Sequence, residues 1–354
     1  MSRLLRNTSR GWRHGVNSLK AKPQAQPATR GYQSVASVKA TSGEPDLEAF
    51  RRDFWLPELP LLLTSSRHFP ASRTWFNHEP GSSHVSFSDR MEEHHDLILP
   101  YEFIISSAHP ETDTNSDLPT KNLQDFREWL LSSSPDGNHG NAQLLEILEN
   151  IIQLGFNSDR SRFYQFPALL GLLLRGCQFN RSRSHHSERI KRLYIAQCGI
   201  DRLPEILSKD IPVPRIVKET GRGDIYDSSI WLGLEPTYTP LHRDPNPNLF
   251  CQLVGSKTIR LMPPGPGVAL FTRVRHQLGS TGNSRFRTTE MMDGPERELL
   301  HHAVWVDESR SRDMVQASLG PGDALFIPKG WWHSVVSAGD DEGNLNASVN
   351  WWFR

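Results

Sequence analysis

Cysteine is scarce in this chain, and so are long apolar runs. Three cysteines among 354 residues, Cys177, Cys198 and Cys251, stand far apart with no Cys-x-x-Cys pair. They can build neither a disulfide framework nor a zinc ribbon, and they read as buried thiols of a reducing compartment. No stretch of eighteen apolar residues occurs. The nearest, Phe163 to Leu174, suits a buried segment better than a bilayer span, so a transmembrane reading is excluded. Gly-x-Ser-x-Gly, P-loop and dinucleotide fingerprints are missing as well. Acidic residues are absent before Glu44, although the whole chain balances 40 Lys+Arg against 40 Asp+Glu.

What the start lacks in acid it has in base: Arg3, Arg6, Arg10, Arg13, Lys20, Lys22, Arg30 and Lys39 all precede Glu44. Leu5, Trp12, Val16 and Leu19 recur at roughly helical spacing between them. Arg30-Gly31-Tyr32 before Gln33 resembles an Arg-x-Tyr processing site. A basic, hydroxyl-bearing, acid-free amphipathic start is what mitochondrial import requires, and it predicts a matrix protein whose mature end lies near Gln33. A disordered basic tail or a nucleic-acid-binding arm is the alternative. Without residues 1 to 32 the chain keeps 33 basic and 40 acidic residues, a net charge of −7. A mildly acidic body argues against general nucleic-acid binding.

Three regions follow: a basic leader over 1–43, a mixed helical and strand part over 44–193, and a strand-rich part over 194–354. Leu47 to Phe54 reads as a short helical turn, Pro57 to Thr64 and Leu97 to Ile105 as strands, and 107–121 as an exposed loop. Repeats at three and four predict helices over Leu123 to Leu131 and Ala142 to Leu154. From Tyr194 onward short apolar runs alternate with Gly and Pro. Ser229 to Leu232, Leu249 to Val254, Lys257 to Met262, Ala324 to Ile327, Ser334 to Val336 and Leu345 to Trp352 are strand-length, and Gly255-Ser256 predicts a hairpin turn. The expected fold is mainly β: a barrel or two-sheet jelly roll carrying helices outside, with an insertion over 265–318 that holds a helix near Glu296 to Trp305.

The chemistry-bearing segment is Thr239-Pro240-Leu241-His242-Arg243-Asp244. On an extended strand, i and i+2 face one side, so His242 and Asp244 point together while Arg243 points away. A third ligand, His333, follows Gly320-Pro321-Gly322-Asp323, the run Ala324 to Pro328 and Lys329-Gly330-Trp331-Trp332. Two imidazoles and a carboxylate on one face of an octahedron leave three adjacent positions open. On the last strand, Leu345, Ala347 and Val349 alternate with Asn346, Ser348 and Asn350, giving one apolar and one polar face. That polar face can meet solvent, or line a barrel that holds a metal. Trp331 and Trp332 read as core residues that hold the strand of His333.

These segments resemble the JmjC and cupin-like Fe(II)- and 2-oxoglutarate-dependent oxygenases, in particular the small hydroxylase branch that includes the asparaginyl hydroxylase of hypoxia-inducible factor. The resemblance runs from about Phe50 to the end and is specific from Tyr194 to Asn350. It implies a double-stranded β-helix, the cupin barrel, with surrounding helices. It implies that His242, Asp244 and His333 ligate iron, that Thr239, Lys257 and Tyr194 hold the distal carboxylate of 2-oxoglutarate, and that Asn248 and Asn350 line the metal and cosubstrate pocket. A dicarboxylate in a closed barrel needs a cation to offset its desolvation, which Lys257 supplies.

The implied activity is hydroxylation of a protein or peptide coupled to conversion of 2-oxoglutarate to succinate. Lysine demethylation, RNA hydroxylation and a non-catalytic binding module are the competing readings. The acidic body offers no electrostatic footprint for RNA. Neither the substrate nor the oligomeric state can be read from these residues.

Overall fold

The computed structural model describes residues 32–39, 45–64, 69–79, 84–105, 118–133, 141–156, 162–279, 292–339 and 342–354. Eight strands build its centre: β1 (Ile225–Leu234), β2 (Tyr238–Arg243), β3 (Asn248–Val254), β4 (Lys257–Met262), β5 (Val315–Leu319), β6 (Ala324–Ile327), β7 (Trp332–Ser337) and β8 (Leu345–Phe353). They pair in the order β6-β3-β8-β1 in one sheet and β5-β4-β7-β2 in the other, antiparallel throughout. Consecutive strands therefore change sheet at almost every turn, which is the double-stranded β-helix.

Side-chain alternation separates three apolar layers. The first layer packs Leu249, Cys251, Ala347, Val349 and Trp351 outward from the larger sheet against helices such as Leu170–Arg181. Inside the barrel, Phe250, Ile259, Leu261, Leu325, Ile327 and Val335 meet from both sheets. On the outer face of the smaller sheet, Leu241, Met262 and Trp332 are covered by Phe271 and Val274 of helix Pro264–Gln277 and by Leu300 of helix Gly294–His301. Gly267 lets the first of these helices approach, since a Cβ there would lie 2.1 Å from the Trp332 ring.

Several expectations need correction. Gly255-Ser256 is no hairpin: β3 and β4 lie in opposite sheets, so the turn crosses the barrel. Gly255 adopts φ 69°, and a Cβ there would press on the Asn346 amide at 2.7 Å, which is why glycine makes this crossing. Within the span read as a leader over 1–43, Gln33–Ser34 pairs with β5 and Ser37–Lys39 with Leu61–Thr64, so these residues belong to the two sheets. Residues 1–31 lie outside the described residues. The exposed loop over 107–121 is helical from Leu118, because helix Leu118–Ser132 starts a turn earlier than its apolar spacing indicates; 107–117 lie outside the described residues. The strand expected from Pro57 begins only at Leu61. The last residues of the 265–318 insertion form β5, a barrel strand.

The part over 44–193 contributes strands to the larger sheet as well as helices packed on it. Its strands Leu61–Thr64, Ile98–Ile105 and Arg162–Leu169, with Ser37–Lys39 and Tyr194–Gly199, extend the larger sheet to nine strands. Among the described residues no helix is long and apolar enough to cross a membrane.

Candidate metal and cosubstrate site

The triad is assembled by two neighbouring strands of the smaller sheet. His242 of β2 lies directly opposite His333 of β7, and their ring centroids are 4.2 Å apart. Asp244 follows the last residue of β2. His242 Nε2 lies 3.8 Å from Asp244 Oδ1, and His333 Nε2 3.6 Å from Asp244 Oδ2. The three donor atoms fall within 4.8 Å of one another.

Hydrogen bonds fix which nitrogen each ring offers. His242 Nδ1 contacts the Pro240 carbonyl at 2.8 Å, and His333 Nδ1 the Trp331 carbonyl at 3.2 Å. A carbonyl can only accept, so each Nδ1 carries the proton and each Nε2 presents its lone pair toward Asp244. Asp244 Oδ2 accepts from Asn248 Nδ2 at 3.0 Å and from Trp352 Nε1 at 2.7 Å. Asn350 Nδ2 in turn donates to Asn248 Oδ1 at 2.9 Å. The two amides therefore form a relay that orients the carboxylate, which is more specific than lining a pocket. Sequence reasoning passed over Trp352. Its signal was the strand period, because Trp352 stands two residues after Asn350 on the polar face.

A bulge explains the odd spacing of Thr239 and His242. Thr239 faces Val335 and His242 faces His333, so three residues of β2 span two of β7. Cross-strand partners share a face, and Val335 belongs to the interior cluster. Thr239 and His242 thus both point inward although they are three residues apart, while Leu241 packs outward.

Lys257 marks the other end of the barrel interior, opposite Ser337 where Leu261 is opposite His333. Only 2 % of it is exposed. It starts β4 with Ile259 and Leu261 on the same inward face, and its Nζ donates to Ser348 Oγ at 2.9 Å and Tyr194 Oη at 3.1 Å. The Phe250 ring lies 5.2 Å from the ammonium. The polar face of β8 therefore points into the barrel, with Asn346, Ser348 and Asn350 each at most 3 % exposed. Trp331 and Trp332 are both buried, as core residues beside His333.

These residues suit the cofactors. Donors around a first-row divalent ion at about 2.1 Å stand roughly 3 Å apart at right angles, so the observed separations leave room for one. A mixed imidazole and carboxylate set matches Fe(II). Ser229 Oγ and Asn350 Oδ1, on residues opposite each other across β1 and β8, are buried without a hydrogen-bond partner among the described residues. Such atoms, beside the Asn248 amide that holds Asp244, fit a polar guest better than a dry core.

A two-sheet barrel with a two-histidine, one-carboxylate centre at one end and a buried lysine at the other defines a metal-dependent jelly roll. The model of the cupin-like domain family matches residues 47–354, and the chain belongs to that family. It is 30% identical over 186 residues to JmjC domain-containing protein F of Dictyostelium discoideum, covering 47% of this chain and 36% of that protein. Lysine-specific demethylase 8 of Danio rerio is 33% identical over 163 residues, covering 45% and 36%. Lysine-specific demethylase JMJ30 of Arabidopsis thaliana is 24% identical over 309 residues, covering 87% and 52%. The matches span about half the length of these relatives or less. Fe(II) and 2-oxoglutarate are the cofactors of JmjC-type cupins, and the triad and the Lys257 pocket supply the groups both need.

Proposed function

We propose that this chain is an Fe(II)- and 2-oxoglutarate-dependent oxygenase that hydroxylates a protein or peptide. The observation that carries this reading is one barrel interior with a three-ligand centre at one end and a hydroxyl-flanked buried lysine at the other. When bound, the metal and 2-oxoglutarate would activate dioxygen, one oxygen atom going to the substrate C–H bond and the other to succinate as 2-oxoglutarate loses carbon dioxide. His242, Asp244 and His333 would hold the metal by three donors. Asn248 and Trp352 keep Asp244 turned toward the imidazoles. Lys257, Tyr194 and Ser348 receive the distal carboxylate, and Thr239 faces the same interior. The apolar residues between, Phe250, Ile259 and Leu261, exclude water from the reacting centre.

The names of two relatives favour a second reading, lysine demethylation, which begins with the same hydroxylation. Mass spectrometry of candidate substrates incubated with the loaded enzyme separates them. A stable gain of one oxygen supports hydroxylation; loss of a methyl carbon with release of formaldehyde supports demethylation. The acid-free start remains the basis for proposing mitochondrial import, which a reporter fused to residues 1–32 tests by its location.

A further inference from the structure

Trp305 stands outside the barrel, 63 residues along the chain from His242, yet hydrogen bonds connect the two. It belongs to the helical turn His302–Val306 that follows helix Gly294–His301, and it packs on the apolar cluster at the outer face of the smaller sheet. Its Nε1 donates to Ser334 Oγ at 2.9 Å, and Ser334 Oγ donates to the Thr239 carbonyl at 2.8 Å. The direction is fixed. An indole N–H can only donate and a carbonyl can only accept, so the one hydroxyl proton between them points to Thr239. Tyr238, on the same face, interacts with this hydroxyl too. Ser334 is fully buried.

The Thr239 carbonyl lies where the bulge of β2 begins. Val335 faces Thr239 and His333 faces His242, which leaves Pro240 and Leu241 together opposite Ser334. Pro240 has no N–H, so it cannot give β7 a ladder bond at this step. The Ser334 hydroxyl supplies a cross-strand bond there instead. One residue further, the Pro240 carbonyl contacts His242 Nδ1 at 2.8 Å and sets its tautomer. The proline ring fixes its own φ, so between the Thr239 carbonyl and the Pro240 carbonyl only one backbone torsion is free. Anchoring the first therefore restrains the second, and with it the imidazole.

Arg260 holds the outer end of this chain of bonds. It is the cross-strand partner of Ser334 on β4. Its guanidinium lies 4.4 Å over the Trp305 ring and donates to the Val304 carbonyl at 2.6 Å and to Gln316 Oε1 at 3.0 Å. A satisfied, buried network of this kind rigidifies what it touches.

We propose that Trp305 and Ser334 are positioning residues for the metal centre: through the Thr239 carbonyl and the Pro240 peptide they hold His242 in the orientation and tautomer that ligation requires. This role rests on the metal reading of the triad, so its test includes a readout on metal-free protein.

Full-length protein carrying 15N-histidine gives the ring-nitrogen shifts of His242, assigned by their loss in His242→Gln, at about pH 8.5, where an ordinary imidazole is neutral. Wild-type His242 should show one tautomer, protonated at Nδ1. Trp305→Phe keeps an aromatic ring beside Arg260 but loses the N–H donor, and it should mix the His242 tautomers while leaving His333 unchanged. Ser334→Ala should do the same to His242. Titrated with Co(II), each variant should show shifted visible bands and an affinity lowered about threefold to tenfold, less than the 10–100-fold typical of a group bonded directly to a ligand. Trp305→Phe placed in the Ser334→Ala background should add nothing, because the indole acts through the hydroxyl. Trp305→Phe alone decides the matter if Ser334→Ala unfolds. A wild type that binds no Co(II) strikes the metal reading and leaves the His242 shifts to decide the relay. Unchanged His242 shifts in both single variants overturn it, as does a Trp305→Phe effect of undiminished size in the Ser334→Ala background.

Discussion

The two ends of the barrel interior carry opposite charge, and the lysine end is the more deeply buried: Lys257 is 2 % exposed, whereas the His242 and Asp244 side chains are each 13 % exposed. At one end two imidazoles held by backbone carbonyls surround a carboxylate that two N–H donors aim inward. At the other an ammonium is held by two hydroxyls. The first arrangement suits a cation and the second an anion, so each end is prepared for one partner before either arrives. The comparison teaches that loss of one end should spare the other.

Asp244→Ala should have the largest effect. It removes the only anionic ligand of the triad and leaves Asn248 and Trp352 without their acceptor. Iron content should fall to background and succinate production should cease, while circular dichroism shows a folded barrel. An unmatched buried donor costs about 1–3 kcal/mol, so thermal stability should drop as well. Lys257→Ala should act only at the far end. Breaking a buried charge partnership costs about 3–5 kcal/mol, so 2-oxoglutarate affinity should fall a hundredfold or more while metal content stays near that of the wild type. A Lys257 variant that loses metal would break the comparison.

Smaller changes sharpen it. Asn248→Ala should weaken metal binding by about 10–100-fold, because it loosens the ligating carboxylate without removing a ligand. Ser348→Ala removes one neutral acceptor beside Lys257. It should raise the KM for 2-oxoglutarate several-fold, in keeping with about 0.5–1.5 kcal/mol for one hydrogen bond. Arg243→Ala should change neither end, since Arg243 lies outward against Trp332 at 5.5 Å. Initial-rate succinate assays and metal analysis on the same preparations check all three.

Much of this was legible from period alone. The alternation along Leu345 to Trp352 separated an apolar from a polar face, and that polar face lines the cavity. The His-x-Asp spacing placed two ligands on one side of β2. The hairpin at Gly255-Ser256 was misread because a tight glycine turn between two short strands looks the same whether the chain folds back or crosses between sheets. Only the pairing of β4 with β5 and β7 distinguishes them. The bulge that turns Thr239 inward was invisible for a similar reason: strand period assigns Thr239 and His242 to opposite faces. Trp352 Nε1 on Asp244 spans 108 residues, a contact no local pattern announces.

The most direct test of the central claim uses purified wild-type chain with Fe(II), ascorbate and 2-oxoglutarate, with succinate measured against Asp244→Ala and Lys257→Ala. The account predicts one tightly held metal per chain and slow succinate formation even without substrate. The Asp244 variant should abolish both, and the Lys257 variant should abolish turnover but keep the metal. Wild-type protein that binds no metal and forms no succinate would contradict it and leave a barrel that binds without catalysing.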